Sequence, residues 1–263
     1  MSGKSDLLKY GALQELHCHT TYCDGANTPE EMVQAAIQKG LRRIGFSRHS
    51  TSPRGSSYAM SPERSVAYVA AIGALKQAYA DRIEVLCGIE RDLYSPFVPS
   101  GLDYVIGSVH YIKVGETYYP VDSSAEELAR CCREAFGGDG YAMCEAYYEG
   151  VARLAEMRPD IVGHIDLVTK YIEVDPLFDM NHPRYLAAAF GAIDALLPTG
   201  AIFEINTGAI SRGYRSTPYP APALVDYIKK NGGRVQLTGD SHAAATLCYR
   251  FDEWEHLMKD SEV

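Results

Sequence analysis

Short apolar runs that stop at a metal-binding type of residue recur along this chain. Between them lie stretches with a helical pattern, and such alternation is typical of repeated βα units. Because the carboxyl ends of parallel strands meet at one mouth of a barrel, residues at those ends would share one site. The runs are LQELHCH, LRRIGFSRH, IEVLCGIE, DYVIGSVH, DIVGH and RVQLTGDSH, and they deliver His17, His19, His49, Glu90, His110, His164, Asp240 and His242.

The pattern predicts seven strands with helices between them. Strands are expected at 13–17, 41–47, 83–89, 104–109, 161–163, 201–206 and 234–238. Helices are expected from Thr28 to Gly40, from Ser61 to about Ala80, and over 124–136, 141–157, 183–197, 221–231 and 251–259. Thr28 and Glu31 have the spacing of a capping box. This order favours a barrel, closed or distorted, over an open doubly wound sheet. Without a long linker, residues 1–263 are expected to form one domain.

Composition narrows the classes of function. No apolar stretch approaches the roughly 20 residues of a membrane helix, and the first residues lack the apolar core of a signal peptide, so a cytoplasmic protein is expected. The seven cysteines form no C-x-x-C pair, which fits reduced thiols. A net charge of −9 without a basic stripe argues against nucleic acid as a partner. Bound cations would offset this charge locally, so a small phosphorylated substrate remains compatible with it.

Spacing within the runs also carries information. Alternate residues of a strand face the same side, so His17 and His19 point together and can chelate one ion. The pair Asp240 and His242 repeats this arrangement. Asp166, two residues after a ligand, is interpreted as a carboxylate that orients a histidine or as a cap for the next segment.

Together with Asp24, the candidate ligands number nine. A catalytic zinc-like ion takes about three protein ligands and keeps a position for water, so the set would serve about three ions, or two with ligands to spare. Glu90 is the expected bridge between two ions, because a carboxylate has two oxygens. The mixture of imidazole and carboxylate suits zinc, iron or manganese. His182 and His256, at a turn and on the last helix, are expected at the surface.

The segment HCHTTYCDGANTPEEMVQAA resembles the opening of the polymerase and histidinol phosphatase (PHP) superfamily, which typically reads H-x-H-T-x-x-S-D-G followed by T-P-E-E. Later segments resemble, in order, motifs of its histidinol-phosphate phosphatase branch. They are GIERD, DYVIGSVHYI, GHIDLVTKY, EINTGAISRGYRSTPYPAP and GDSHA. The resemblance spans about residues 13–250 and implies a distorted (β/α)7 barrel of the PHP type with a trinuclear metal centre.

The resemblance also implies how three ions would share the ligands. The first would be bound by His17, His19, Glu90 and Asp240, the second by Glu90, His110 and His164, and the third by Asp24, His49 and His242. This chain departs from the branch at Arg48, where the residue is usually acidic. It also has Asp24 where histidinol phosphatases often carry a histidine.

A phosphate monoester needs cationic contacts besides the ions, and arginine's planar fork suits phosphate oxygens. The resemblance assigns such a contact to Arg212. Arg215, Lys170 and Arg48 are further candidates. Alternatively, Arg215 and Lys170 are solvated loop charges, and Arg48 pairs with a neighbouring acid.

The sequence therefore predicts a metal-dependent phosphatase of a small monoester, with L-histidinol phosphate as the expected substrate and histidine biosynthesis as its setting. A metal-bound hydroxide would attack phosphorus. Glu90 would bridge the ions, and Asp240 or His242 would pass a proton to the leaving alcohol. Two alternatives stay open: a PHP phosphoesterase acting on a sugar phosphate, a nucleotide phosphate or a phosphodiester end, and a non-catalytic metal-binding module.

Overall fold

The computed structural model describes residue 4 and residues 6–51, 62–96 and 98–259. The strands within these ranges are β1 (Gln14–Glu15), β2 (Arg43–Phe46), β3 (Glu84–Asp92), β4 (Tyr104–Ser108), β5 (Tyr111–Val114), β6 (Thr117–Pro120), β7 (Ile161–Val162), β8 (Ile202–Asn206) and β9 (Arg234–Thr238). The α-helices are α1 (Pro29–Gln38), α2 (Pro62–Ala78), α3 (Ala125–Phe136), α4 (Gly140–Met157), α5 (Pro183–Leu196), α6 (Gly208–Ser211), α7 (Pro222–Lys230) and α8 (Phe251–Trp254).

Seven strands form one parallel sheet in the order β1-β2-β3-β4-β7-β8-β9. These are the seven strands that the sequence predicts, with ends shifted by a few residues. The remaining two, β5 and β6, form an antiparallel hairpin that the sequence reading missed. Its turn contains Gly115 with φ of +58°, between two tyrosine-containing runs, and that pattern is typical of a hairpin.

The first and last strands approach each other beyond their regular ends. The amide of His19 donates to the carbonyl oxygen of Ser241 at 2.9 Å, and the amide of Ser241 donates to that of His17 at 3.0 Å. Cys18 and Ser241 thereby form a parallel bridge. The sheet closes through this bridge in place of a full ladder, which gives the distorted (β/α)7 barrel that was predicted.

The start of α1 follows the predicted capping box. The Thr28 side chain accepts from the Glu31 amide at 3.3 Å, and the Glu31 carboxylate accepts from the Thr28 amide at 2.8 Å. The helix ends before Gly40, whose φ of +77° favours glycine. The predicted start of the next helix at Ser61 lies outside the described residues.

Tyr104 of β4 fills the space between neighbouring strands. Its hydroxyl donates to the carbonyl oxygen of Leu16 at 2.6 Å. A Cβ atom on Gly45 or Gly88 would come within 2.5 and 2.3 Å of this side chain, respectively. Glycine is therefore required at both positions for the tyrosine to lie across β2 and β3.

The predicted last helix divides into α8 and a 3₁₀ turn, Glu255–Met258. Short terminal turns commonly tighten in this way, and Phe251 and Leu257 remain buried. The short helix α6 was not predicted. Among the described helices, none combines the length and the apolar character needed to cross a bilayer.

Candidate metal centre

The predicted ligands come from the carboxyl ends of six strands and from one loop. Seven of them line a cavity of 310 Å³, and His17 and His19 lie fully buried against this group. The structure thus brings all nine together. They are His17, His19 and Asp24 after β1, His49 after β2, Glu90 in β3, His110 after β4, His164 after β7, and Asp240 and His242 after β9.

The donor atoms form three groups, within each of which they lie within 4.8 Å of one another. The groups are His17, His19 and Asp240; His19, Asp24, His49 and His242; and His49, Glu90 and His110. His164 is not a member, but its Nε2 lies 3.0 Å from Glu90 Oε1. The groups overlap, because His19 and His49 each belong to two of them.

Glu90 lies at the centre of the cluster and is 1% exposed. Its Oε1 atom lies 3.0 Å from His164 and 3.2 Å from His110. Its Oε2 atom lies on the other side, at 2.8, 3.5 and 3.6 Å from ring nitrogens of His49, His17 and His19, respectively. The two oxygens therefore face different groups of histidines, which is the arrangement that a bridging carboxylate requires.

Two buried ring nitrogens test whether cations fit this site. Within the described residues, His17 Nε2 and His19 Nε2 have no hydrogen-bond partner. The nearest carboxylate oxygens, of Glu90 and Asp240, lie at 3.2–3.7 Å. A buried polar atom without a partner is costly, and a cation between the nitrogens and these oxygens would satisfy both. The donor set therefore fits divalent ions.

The carboxylates of the site stay ionised despite their burial. Burial acts to raise the pKa of Glu90, but the neighbouring imidazoles, His110 foremost, hold it well below its ordinary value. Burial likewise opposes ionisation of Asp240, whose pKa is held well below its ordinary value by the Arg212 guanidinium and by His17. The cavity therefore presents negative charge to a cation.

The two histidines at the base of the site differ in protonation. Burial lowers the pKa of His19 to about 3, so its ring is neutral. Burial also acts on His17, but the charges of Glu204, Glu90 and Asp240 hold its pKa well above the ordinary value. A cation that binds at His17 Nε2 would therefore displace a proton.

Glu204 of β8 is a functional candidate that sequence reasoning missed. Its Oε2 accepts from His17 Nδ1 at 2.8 Å and from the Thr238 hydroxyl at 2.9 Å. Its Oε1 accepts from the His164 amide at 2.6 Å and from Asn206 at 2.9 Å. The available signal was an acid at the centre of the apolar run IFEIN, since acids are rarely buried without partners.

Asp166, for which an orienting or a capping role was expected, performs neither. It is buried, and its Oδ2 atom accepts from the Ala221 amide at 2.9 Å. Its side chain makes no capping bond to the segment that follows. The carboxylate that orients a histidine after β4 is instead Asp92, which accepts from His110 Nδ1 at 3.2 Å. Asp92 follows Glu90 by two residues on one strand face, which was a usable signal.

Two of the four predicted phosphate contacts line the cavity. Arg212 donates from its two terminal nitrogens to the main-chain oxygen and to Oδ2 of Asp240, each at 2.9 Å. Lys170 Nζ donates to the main-chain oxygen of Asp122 at 2.7 Å. Both side chains line the same cavity as the clustered donors.

The other two predicted phosphate contacts, Arg48 and Arg215, lie outside the cavity wall. Neither is among the described residues that line the cavity. Arg48 precedes His49 along the chain and therefore points to the other side, where its guanidinium lies 5.7 Å from the centre of the Tyr68 ring. Arg215 is buried and donates to the hydroxyls of Thr169 and Thr217.

His182 and His256, which were expected at the surface, lie outside the cluster. His182 is half-buried, and its Nδ1 atom accepts from the Arg184 amide at the start of α5. His256 is exposed.

Comparisons with known proteins relate this chain to histidinol-phosphatases. A probable histidinol-phosphatase of Deinococcus radiodurans is 33% identical over 94% of this chain and 93% of its own length. The histidinol-phosphatase of Bacillus subtilis is 26% identical over 90% of this chain and 96% of its own length. Both relatives match almost end to end.

A solved structure shows the same fold. It is the histidinol phosphate phosphatase of Lactococcus lactis in complex with zinc, L-histidinol and phosphate, with a TM-score of 0.68 and 20% identity. The likeness covers 93% of this chain and 92% of that one. The PHP domain family itself matches residues 15–208, which carry six of the seven barrel strands and seven of the nine clustered donors. The chain belongs to the PHP domain family.

Proposed function

We propose that this protein is a phosphoric monoester hydrolase that converts L-histidinol phosphate to L-histidinol and phosphate in histidine biosynthesis. The observation that carries the proposal is one cavity in which the clustered donors adjoin Arg212 and Lys170. Residues that can bind metal ions and side chains that can bind phosphate thus line the same cavity. The names of the Deinococcus and Bacillus relatives, and the L-histidinol and phosphate in the Lactococcus structure, support this choice of substrate.

The nine clustered residues would hold divalent ions, which we propose to be three in number and zinc, iron or manganese in kind. When bound, such ions supply a water molecule of lowered pKa and positive charge beside the phosphoryl oxygens. Glu90 would hold neighbouring ions together through its two oxygens. Glu204 and Asp92 would fix the rings of His17 and His110, as carboxylates behind metal-binding histidines commonly do.

The side chains at the wall would bind and orient the substrate. Arg212 and Lys170 carry positive charge into the cavity, and their partners hold both in place. They would position the phosphate against the donor cluster and offset its charge. Asp240 and His242 both line the cavity, and either could take a proton from the attacking water and pass it on to the leaving alkoxide, Asp240 starting from its ionised form. A substrate with an acidic leaving group needs no such proton. The variant lacking the donor would therefore lose more activity on L-histidinol phosphate than on p-nitrophenyl phosphate.

The test is phosphate release from L-histidinol phosphate and from a panel of sugar phosphates, nucleotides and phosphodiesters. The protein's metal content would be quantified in the same samples. We expect preference for L-histidinol phosphate, loss of activity after chelation, and recovery on adding back a divalent metal. Clear preference for another member of the panel would contradict the proposed substrate. Lack of any turnover by metal-loaded protein would contradict the proposed hydrolase activity.

Two alanine variants test the donors. His17→Ala and Glu90→Ala should lose both bound metal and activity. The matched control is His256→Ala, which removes an exposed histidine outside the cluster and should retain both. If the first two variants kept metal and full activity, the assignment of these residues would be wrong.

A further inference from the structure

The carboxylate of Asp122 stands apart from the other acids of the cavity wall. The other acids of the lining each form an ion pair with a histidine or an arginine; they are Asp24, Glu90, Asp92 and Asp240. Asp122 lines the same cavity and is half-buried. Among the residues that the structure describes, its side chain makes no hydrogen bond and no ion pair. It is therefore an acid without a protein partner in a partly desolvated wall.

The main chain of Asp122 is nevertheless fixed. Its carbonyl oxygen accepts from Lys170 Nζ at 2.7 Å and from the Tyr171 hydroxyl at 2.6 Å. The residue follows the hairpin formed by β5 and β6, and these two bonds tie its main chain to Lys170 and Tyr171. The backbone that carries the carboxylate is thereby held by contacts that do not use the carboxylate oxygens.

Asp122 lies near the two side chains that we propose to bind phosphate. Lys170 and Arg212 line the same cavity, and the charge of Asp122 acts on both. A negative group thus lies close to the two cations without neutralising either through an ion pair. Such a wall suits a ligand that carries negative and positive charge on neighbouring atoms.

We propose that the Asp122 carboxylate binds the ammonium group of the substrate and so selects amino-alcohol phosphates over phosphate monoesters that lack an ammonium group. This inference rests on the proposed function and deepens it. In L-histidinol phosphate the ammonium group sits on the carbon next to the one that bears the phosphate oxygen. A phosphate held by Lys170 and Arg212 therefore brings the ammonium group to the neighbouring acid. A sugar phosphate would leave the carboxylate without a partner, and such a mismatch discriminates strongly.

The test compares two substrates in three proteins of equal metal content. The substrates are L-histidinol phosphate and its deamino analogue, which retains the imidazole and the phosphate. The proteins are the wild type, Asp122→Asn and Asp122→Glu. The main-chain carbonyl oxygen that accepts from Lys170 and Tyr171 is present in every variant. Asparagine also keeps the shape of the side chain, so the change removes its negative charge. Asp175→Asn, which removes a charge from an exposed position outside the cavity lining, is the matched control.

We expect Asp122→Asn to lower kcat/KM for L-histidinol phosphate by roughly 10- to 100-fold, mainly through KM, because a charge-assisted hydrogen bond is lost. The deamino analogue should change by less than about 3-fold, within the scatter expected for a change that removes no contact to it. Asp122→Glu should recover part of the loss, and Asp175→Asn should behave as the wild type.

An equal loss on both substrates, or none on either, would overturn the role of Asp122. Failure of the proposed function would be seen differently, since the wild type itself would not prefer L-histidinol phosphate over unrelated monoesters.

Discussion

The Oε2 atom of Glu204 lies 2.8 Å from Nδ1 of His17, and both side chains are fully buried. The bond fixes the imidazole so that Nε2 faces Glu90 and Asp240. The same carboxylate accepts from the His164 amide, so one acid of β8 positions residues at the ends of β1 and β7. Glu204 is not among the described residues that line the cavity, and it acts through the residues that it holds.

We predict that Glu204→Gln weakens metal binding about 10- to 100-fold, because carboxylates behind ligating histidines contribute on this scale. Glutamine retains the shape but loses the charge that stabilises the His17 ring. Metal affinity would be measured by competition with a chelator, without reference to activity. Glu116→Gln, at an exposed position of the hairpin turn, is the control. Unchanged affinity in Glu204→Gln would contradict the orienting role.

Lys170 should give the enzyme an alkaline limit. Burial lowers the pKa of this lysine from its ordinary value of 10.5, although the charge of Asp122 opposes the shift. Only the protonated amine attracts phosphate, so kcat/KM should fall as pH rises through the lowered pKa, below pH 10.5. Lys170→Arg keeps its charge across this range and should flatten the limb, as pH–rate profiles of the two proteins would show. If both proteins lost activity at the same alkaline pH, Lys170 would not be the group whose titration causes the loss.

Two glycine-to-alanine substitutions should change the stability of the protein in opposite directions, one through packing and the other through helix propensity. Gly88→Ala would place a methyl group 2.3 Å from the Tyr104 ring, and overpacking of this kind costs about 1–3 kcal/mol. Gly73→Ala, in the interior of α2, meets nothing within 4 Å and should stabilise the protein by up to about 1 kcal/mol. Urea denaturation of both variants would measure the opposite signs. Equal effects would show that Tyr104 can move aside.

The capping box of α1 predicts a modest loss of stability. Thr28→Ala removes the oxygen that accepts from the Glu31 amide, and loss of such a cap costs about 1 kcal/mol. Thr28→Ser keeps the oxygen and should lose much less. Both values come from the midpoint of chemical unfolding, and a larger loss for serine than for alanine would contradict the capping argument.

The sequence was most informative where local pattern and function coincide. Most of the clustered donors stand at strand ends, and the pairs His17/His19 and Asp240/His242 have i, i+2 spacing, so their convergence follows from the geometry of a parallel barrel. Glu204 escaped notice because its partners, His17 and His164, are far away in the chain, and only the folded sheet brings them together. Arg48 illustrates the opposite case: it adjoins His49 in sequence, but its guanidinium lies near the Tyr68 ring and it is not among the described residues that line the cavity.

The bridge between Cys18 and Ser241 constrains when the donor cluster can form during synthesis of the protein. Donors from the first strand and donors after the last strand belong to the same group of His17, His19 and Asp240. A nascent chain leaving the ribosome therefore cannot assemble this group until Asp240 has been synthesised. An ion bound by this group would therefore be captured only after the last barrel strand has been made, whereas the group of His49, Glu90 and His110 is complete earlier.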